Sequence, residues 1–253
     1  MKQKFGKILK TSAAFFAVLL LWQLACSLEL WTPYLLPSPQ QTWQTFTSML
    51  LNGELAEAVF ISMRRVLTGF SLSIIITFLF ALTGCLLPAA RPYHESLLEF
   101  LRHVPPLALI PLLILWSGIG EAPKIIVIVL ATFGPLLLNF NAGLRDCDPK
   151  LPEVGQVLGL TPRQIFFKIR LPAALPNIFT GLRIGLGYAL RAIIGAELIA
   201  AGSGIGYLIL DAQIMSRTDK ALVGIICLGF LGILLDFCMG MLQKKLLPYK
   251  END

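Results

Sequence analysis

The stretch VLTGFSLSIIITFLFALTGCLL, residues 66–87, runs for 22 residues without a charged side chain. A helix of that length reaches about 33 Å at 1.5 Å per residue, enough to cross the ~30 Å hydrocarbon core of a bilayer. The rest of the chain has the same character. Of 253 residues 56% are hydrophobic and 14% charged, with a mean hydropathy of +0.74. Ordinary soluble domains carry about a quarter charged residues, so the sequence specifies an integral membrane protein. The apolar stretches leave no room for a separate soluble catalytic unit.

Working outward from residues 66–87, Arg64 and Arg65 stand at the outer entrance of that span, where they are expected to face protein or water instead of lipid. Upstream, Thr11 to Leu28 follows Lys2, Lys4, Lys7 and Lys10; it resembles a secretory signal but is long enough to span and reads as an uncleaved first helix. Downstream come Val104 to Gly120, Ile125 to Leu144, Asn177 to Ala201 (interrupted by Arg183, Arg191 and Glu197) and Ala221 to Leu242, which holds Asp236. The expectation is an all-α, polytopic fold with about six transmembrane helices. Placing both termini in the cytoplasm puts most basic residues inside, leaving Arg64, Arg65, Lys124, Arg217 and Lys220 outside. Between the first two spans, Leu36-Pro37-Ser38-Pro39 opens a segment with Trp43, Phe46, Met49 and Leu50 at helical spacing, read as an amphipathic helix on the outer surface. The domain reading is 1–60 for the first helix and outer segment, 61–243 for the main membrane domain, and 244–253 for a cytoplasmic tail.

The formal charge is +6 with an isoelectric point near 9.2. The basic residues do not form a continuous patch interleaved with aromatics, which argues against nucleic acid. Cys26, Cys85, Cys147, Cys227 and Cys238 show no C-x-x-C spacing, so neither a disulfide framework nor a zinc site is indicated. Glu95, Glu99 and His103 share one helical stripe, but Arg102 can pair with Glu99 and no second histidine joins them, which favours a charge cluster over a metal site.

The most informative connection is Arg145 to Asn177, on the inside between spans four and five. Asp148 and Pro149 offer an N-cap and a first-turn proline; Val154, Val157 and Leu158 recur at i, i+3, i+4; Gly159 supplies a stop. Thr161-Pro162-Arg163-Gln164 then reads as a capping box opening a second short helix, with Ile165, Phe166 and Ile169 as its apolar stripe and Leu171-Pro172 as its end. Two short capped helices at a glycine corner suit either docking into a groove on another protein or resting on the inner leaflet through Arg163, Lys168 and Arg170. The residues alone leave both open.

Glu153-Val154-Gly155, three residues, Gly159, nine residues, then Ile169-Arg170-Leu171-Pro172 resembles in spacing the signature loop of ATP-binding cassette importer permeases. Val154 and Gly155 stand where the family pattern has two alanines. Leu36-Pro37-Ser38-Pro39, Ser62 to Leu67, Pro105 to Ala108, Leu115 to Gly120 and Gly204 to Tyr207 are similar to the branch importing aliphatic sulfonates, taurine, nitrate or pyrimidine precursors of thiamine. The resemblance implies a type I importer transmembrane fold and a homodimer enclosing the pathway. It also implies ATPase subunits docked on the loop and an extracytoplasmic solute-binding protein, in the cytoplasmic (inner) membrane. The coupling residues would be Glu153, Val154, Gly155, Gln156, Gly159, Leu160, Thr161, Pro162, Ile169, Leu171 and Pro172.

No G-x-x-x-x-G-K-[ST] phosphate cradle occurs, so the chain is expected to be a non-catalytic subunit without cofactors, with ATP and Mg on a separate ATPase. Arg191, Glu197 and Asp236 lie inside spans, where charge against lipid is expensive. They line the pathway or gate, or else form buried structural ion pairs. Arg191 and Glu197 fall about 120° apart on one helix and do not pair with each other; an Arg191 on the pathway would favour anionic cargo. The alternative class, an ion-gradient-driven secondary transporter, commonly shows paired repeats, and none is visible.

Overall fold

The computed structural model describes residues 2–86, 96, 99, 103–145, 147–148, 150–200 and 202–247. Every element among them is helical: α1 (Lys2–Ser27), α2 (Pro39–Leu51), α3 (Glu54–Leu86), a 3-10 turn (Pro106–Leu109) leading into α4 (Ile110–Ser117), α5 (Glu121–Arg145), α6 (Lys150–Val157), α7 (Pro162–Ile165), α8 (Leu171–Ala200), α9 (Ile205–Ile214) and α10 (Thr218–Leu246). Most of α3, and α5 and α10, are long and apolar enough to cross a membrane by length and composition; α8 joins them when counted with α9 as one broken span.

The spans depart from their expected limits, and the first has only Phe16–Ser27 as its apolar part among the described residues, shorter than a bilayer crossing. The second helix starts at Glu54, not Val66, because Asn52 Oδ1 accepts from the Glu54 amide at 3.0 Å and Glu54 and Glu57 place negative charge in the first turn. Arg64 and Arg65 therefore lie within α3 and not at its mouth. The third is shorter than a bilayer among the described residues: Pro106–Ser117 covers about 18 Å. Pro105 and Pro106 impose a 3-10 start, and Gly118 at φ +77 ends the helix. The fifth starts at Leu171 and carries Pro176 inside it.

By its contacts the chain forms two compact units, Met1–Ile61 with Gly202–Gly229, and Ser62–Ala201 with Phe230–Asp253. In the first, Ser38 caps α2 by accepting from the Gln41 amide at 3.2 Å, with Pro39 in the first turn. The residues expected to form one apolar face of α2 divide: Met49 is buried, whereas Trp43 and Leu50 are exposed. Thr45 donates to Asp219 Oδ2 at 2.8 Å, Thr218 donates to the Tyr34 carbonyl at 2.8 Å, and Lys220 pairs with Glu54 at 2.7 Å. Helix α2 is thus held by the start of α10 as well as by its own amphipathicity. Asp219 also grips Arg217 at 2.8 Å, and this hydrogen bond raises the guanidinium above its ordinary value.

The second unit is built on α5 against α8. Its core gathers Val66 and Phe70 from α3, Leu136, Leu137 and Phe140 from α5, and Ile178, Leu186 and Ile193 from α8. Without a hydrophobic force between helices in lipid, close approach and polar contacts hold such bundles. At Gly143 a Cβ would stand 2.8 Å from the Ala174 carbonyl, so only glycine lets α5 and α8 touch there. Thr132 donates to Ser73 at 2.7 Å, tying α5 to α3. The outward faces stay apolar, with Ile75, Leu79, Phe230, Ile233 and Phe237 exposed, as a lipid-facing surface requires.

Candidate functional site

The connection from α5 to α8 is a compact, capped structure. Asp148 Oδ1 accepts from the Lys150 amide at 2.9 Å, opening α6; Pro149 lies outside the described residues. At its end the Leu160 amide reaches back to the Gly155 carbonyl at 3.0 Å and the Gly159 amide to the Gln156 carbonyl at 2.9 Å. Gly159 takes φ +73, the left-handed stop of a Schellman closure. Two residues on, the Gln164 amide donates to Thr161 Oγ1 at 3.3 Å while the Thr161 amide donates to Gln164 Oε1 at 2.9 Å, completing the capping box of α7.

The second short helix does not end at Leu171-Pro172. Phe166–Arg170 forms one π turn in which the Leu171 amide bonds to the Phe166 carbonyl, and the chain runs directly into α8. A proline is tolerated in a helix's first turn, where its missing N–H is not needed, and the widened turn before Leu171 supplies that position for Pro172. The loop is therefore continuous with a 30-residue helix.

Its faces sort cleanly. Gly155 packs onto the second short helix, where a Cβ would stand 2.7 Å from Ile169 Cδ1 and 3.2 Å from Ile165 Cγ1. Ile165, Phe166 and Pro152 are buried. Glu153 and Gln156 are exposed, and so are the apolar Val154 at 55%, Val157 at 88% and Leu158 at 71%. Leu160 is half-buried; Thr161 and Pro162 are exposed. Three apolar side chains face outward although an apolar core is available behind them.

The intramembrane charges sort differently. Glu197 is fully buried and receives Arg65 Nη1 at 2.7 Å and Ser62 Oγ at 2.8 Å. The same guanidinium meets Glu121 through Nε at 2.7 Å and Nη2 at 2.6 Å, and Lys124 Nζ reaches Glu121 at 3.1 Å. Asp236 pairs with Arg183 at 2.7 Å, partly exposed. Arg191 lies with Tyr188 in the wall of a cavity of about 570 Å³. The structure thus places Glu197 in a buried ion pair, Asp236 in an exposed one and Arg191 on a cavity wall. Among the described residues no group of three or more His, Cys, Asp or Glu could hold a metal ion; Glu95 and Arg102 lie outside them.

A family profile described as the binding-protein-dependent transport system inner membrane component matches residues 88–248. The chain belongs to this family. Among curated permeases it is 37% identical over 235 residues to the putative aliphatic sulfonates transport permease SsuC of Bacillus subtilis, covering 93% of this chain and 85% of that one. It is 34% identical to the taurine transport system permease TauC of Escherichia coli, covering 92% and 87%, and 32% identical to the nitrate import permease NrtB of Synechocystis, covering 97% and 92%. The fold matches a chain of the MetNI methionine ABC transporter with a TM-score of 0.63 at 20% identity, over 83% of this permease and 99% of that chain.

The sequence does not draw three members of the network around Glu197 together: Arg65 reads as lying at the mouth of a span, Lys124 as one of the outside basic residues, and Glu121 has no role assigned. Under a six-span topology the start of α5, the early part of α3 and the end of α8 lie at one side of the membrane, which is the signal that brings these charges together.

Proposed function

We propose that this permease is the membrane subunit of an ATP-driven importer, coupled to a separate ATPase through the Glu153–Pro172 loop. Two copies enclose the pathway, both termini are cytoplasmic, and an extracytoplasmic binding protein delivers the solute across the cell membrane. ATP and Mg reside on the ATPase. The names of the relatives support a small solute of the sulfonate, taurine or nitrate kind.

The observation that carries the reading is the loop's outer face. Val154, Val157 and Leu158 project from a doubly capped element whose inner side is locked by Gly155 on Ile169 and Ile165. Buried anchor residues surrounded by polar neighbours are how compact docking surfaces gain affinity, and Glu153 and Gln156 flank these three. Because the π turn leads straight into α8, a displacement of the docked loop moves a membrane-spanning helix.

The test is co-expression of the full chain with its candidate ATPase, reading detergent-stable co-purification and ATP turnover. Wild type is expected to retain the ATPase and stimulate it; substitution of Glu153 or Gly159 is expected to reduce both while the permease stays monodisperse. A wild-type chain that binds no ATPase would instead assign the loop to the inner leaflet.

A further inference from the structure

Helix α8 carries two arginines on its exposed side, Arg183 and Arg191, eight residues or about 12 Å apart along the axis. Arg183 is closed by two bonds to Asp236, at 2.9 and 2.7 Å. Arg191 has no carboxylate partner among the described residues; its contact is the Tyr188 ring, whose centroid lies 5.7 Å from the guanidinium carbon. A guanidinium inside a span is expensive against lipid and is ordinarily paired or placed on a watery route. This one stands in the wall of the 570 Å³ cavity.

The rest of that wall is chemically specific. Leu130, Leu138 and Ile184 supply apolar surface, and Asn139 adds an amide. One N–H of Asn139 is spent on the Pro135 carbonyl at 2.8 Å, and the amide group carries a second. Low-polarity walls strengthen the attraction of a fixed charge for a counter-charge. The guanidinium fork matches two oxygens of a planar or tetrahedral oxyanion, and the Tyr188 ring lies within cation–π range of it. The cavity lies within the range of small-molecule sites.

We propose that Arg191, beside Tyr188, is an anion-selective site on the permease pathway. A small solute with an oxyanion headgroup lays two oxygens against the guanidinium and its apolar remainder against Leu130, Leu138 and Ile184. Neutral and cationic solutes gain nothing there. The assignment rests on the permease reading above for its place in a transport route, but the binding itself needs neither ATP nor a partner.

The full chain in phospholipid nanodiscs, without ATPase, is treated with phenylglyoxal, and modification of each arginine is followed by peptide mass spectrometry. Ethanesulfonate at about ten times its dissociation constant is expected to slow modification of Arg191 about tenfold. Dimethyl sulfone, neutral and of similar size, is expected to leave it unchanged, and Arg183, held by Asp236, is expected not to respond to either. Equal rates at Arg191 with and without ethanesulfonate, or equal protection by the sulfone, would overturn the proposal. A parallel series in dodecyl maltoside separates a solute anion from a lipid phosphate. Ethanesulfonate protection persisting in maltoside supports the site, whereas shielding by phospholipid alone overturns it. If the ATPase docks and Arg191 is unprotected, the permease reading stands and the anion site falls; if Arg191 is protected and no ATPase docks, the site stands and the energy source must be sought elsewhere.

Discussion

Replacing Arg65 with methionine removes the guanidinium that holds Glu197 at 2.7 Å and Glu121 at 2.6 Å. Glu197 is fully buried, so its carboxylate loses its nearest opposite charge without gaining water. Breaking a buried ion pair from one side costs about 3–5 kcal/mol, because an uncompensated charge remains. Glu121, with 44% of its side chain exposed, adds little, since solvent screens it and Lys124 stays close. For a chain of this length each kcal/mol shifts the unfolding midpoint by about 2–4 °C, so Arg65→Met should lower it by about 6–20 °C. The double variant Arg65→Met with Glu197→Met leaves no buried orphan charge and should recover most of the loss. The assay is the monodisperse fraction surviving a heating series in detergent, read by size-exclusion chromatography. A single variant with the wild-type midpoint, or a double variant less stable than the single, would refute the reasoning.

The Glu153–Pro172 loop offers three more tests. Val157→Ser combined with Leu158→Ser should weaken ATPase association by about tenfold or more, while the permease's own stability, checked by the same heating series, stays within about 0.5 kcal/mol because both side chains are exposed. Gly155→Ala brings a Cβ 2.7 Å from Ile169 Cδ1, the mobile end of that side chain, so a small turn of Ile169 should absorb it and the helix-propensity gain of about 1 kcal/mol should offset the cost; the midpoint and ATPase binding should stay near wild type, and a large loss of either would show that Ile169 cannot yield. Thr161→Ala removes half of the capping box, worth about 1 kcal/mol, and should speed limited proteolysis within the loop without altering the midpoint of the membrane helices.

What the sequence disclosed best was whatever depends on neighbours in the chain. Thr161, Pro162 and Gln164 specify a helix start within four residues, and Gly159 specifies a stop, so both short helices were legible. Composition made α3, α5 and α10 legible as spans for the same reason, whereas the apolar helices Phe16–Ser27 and Pro106–Ser117 are shorter than the runs that announced them. Local rules misled where a second local feature overruled them: Pro172 reads as a terminator, but the π turn before it makes it a first-turn residue. Charge-free run length missed the true start of α3, because Glu54 and Asn52 begin the helix twelve residues before Val66. The Arg65 network was least legible, since its carboxylates lie 56 and 132 residues away and no spacing links them. Arg191 and Tyr188, three residues apart on one helix, show the opposite case, in which periodicity alone brings the pair to one face.

The outward pose of Val157 and Leu158 has a consequence for biogenesis. If the loop docks as proposed, a newly inserted subunit without its partner leaves two bare aliphatic side chains exposed on a capped knob, the kind of apolar surface that chaperones and proteases recognise. Burying that knob in a partner hides the signal. On the docking proposed above, the same two residues would make unmatched copies self-reporting, and accumulation of the subunit should follow the supply of whatever covers them.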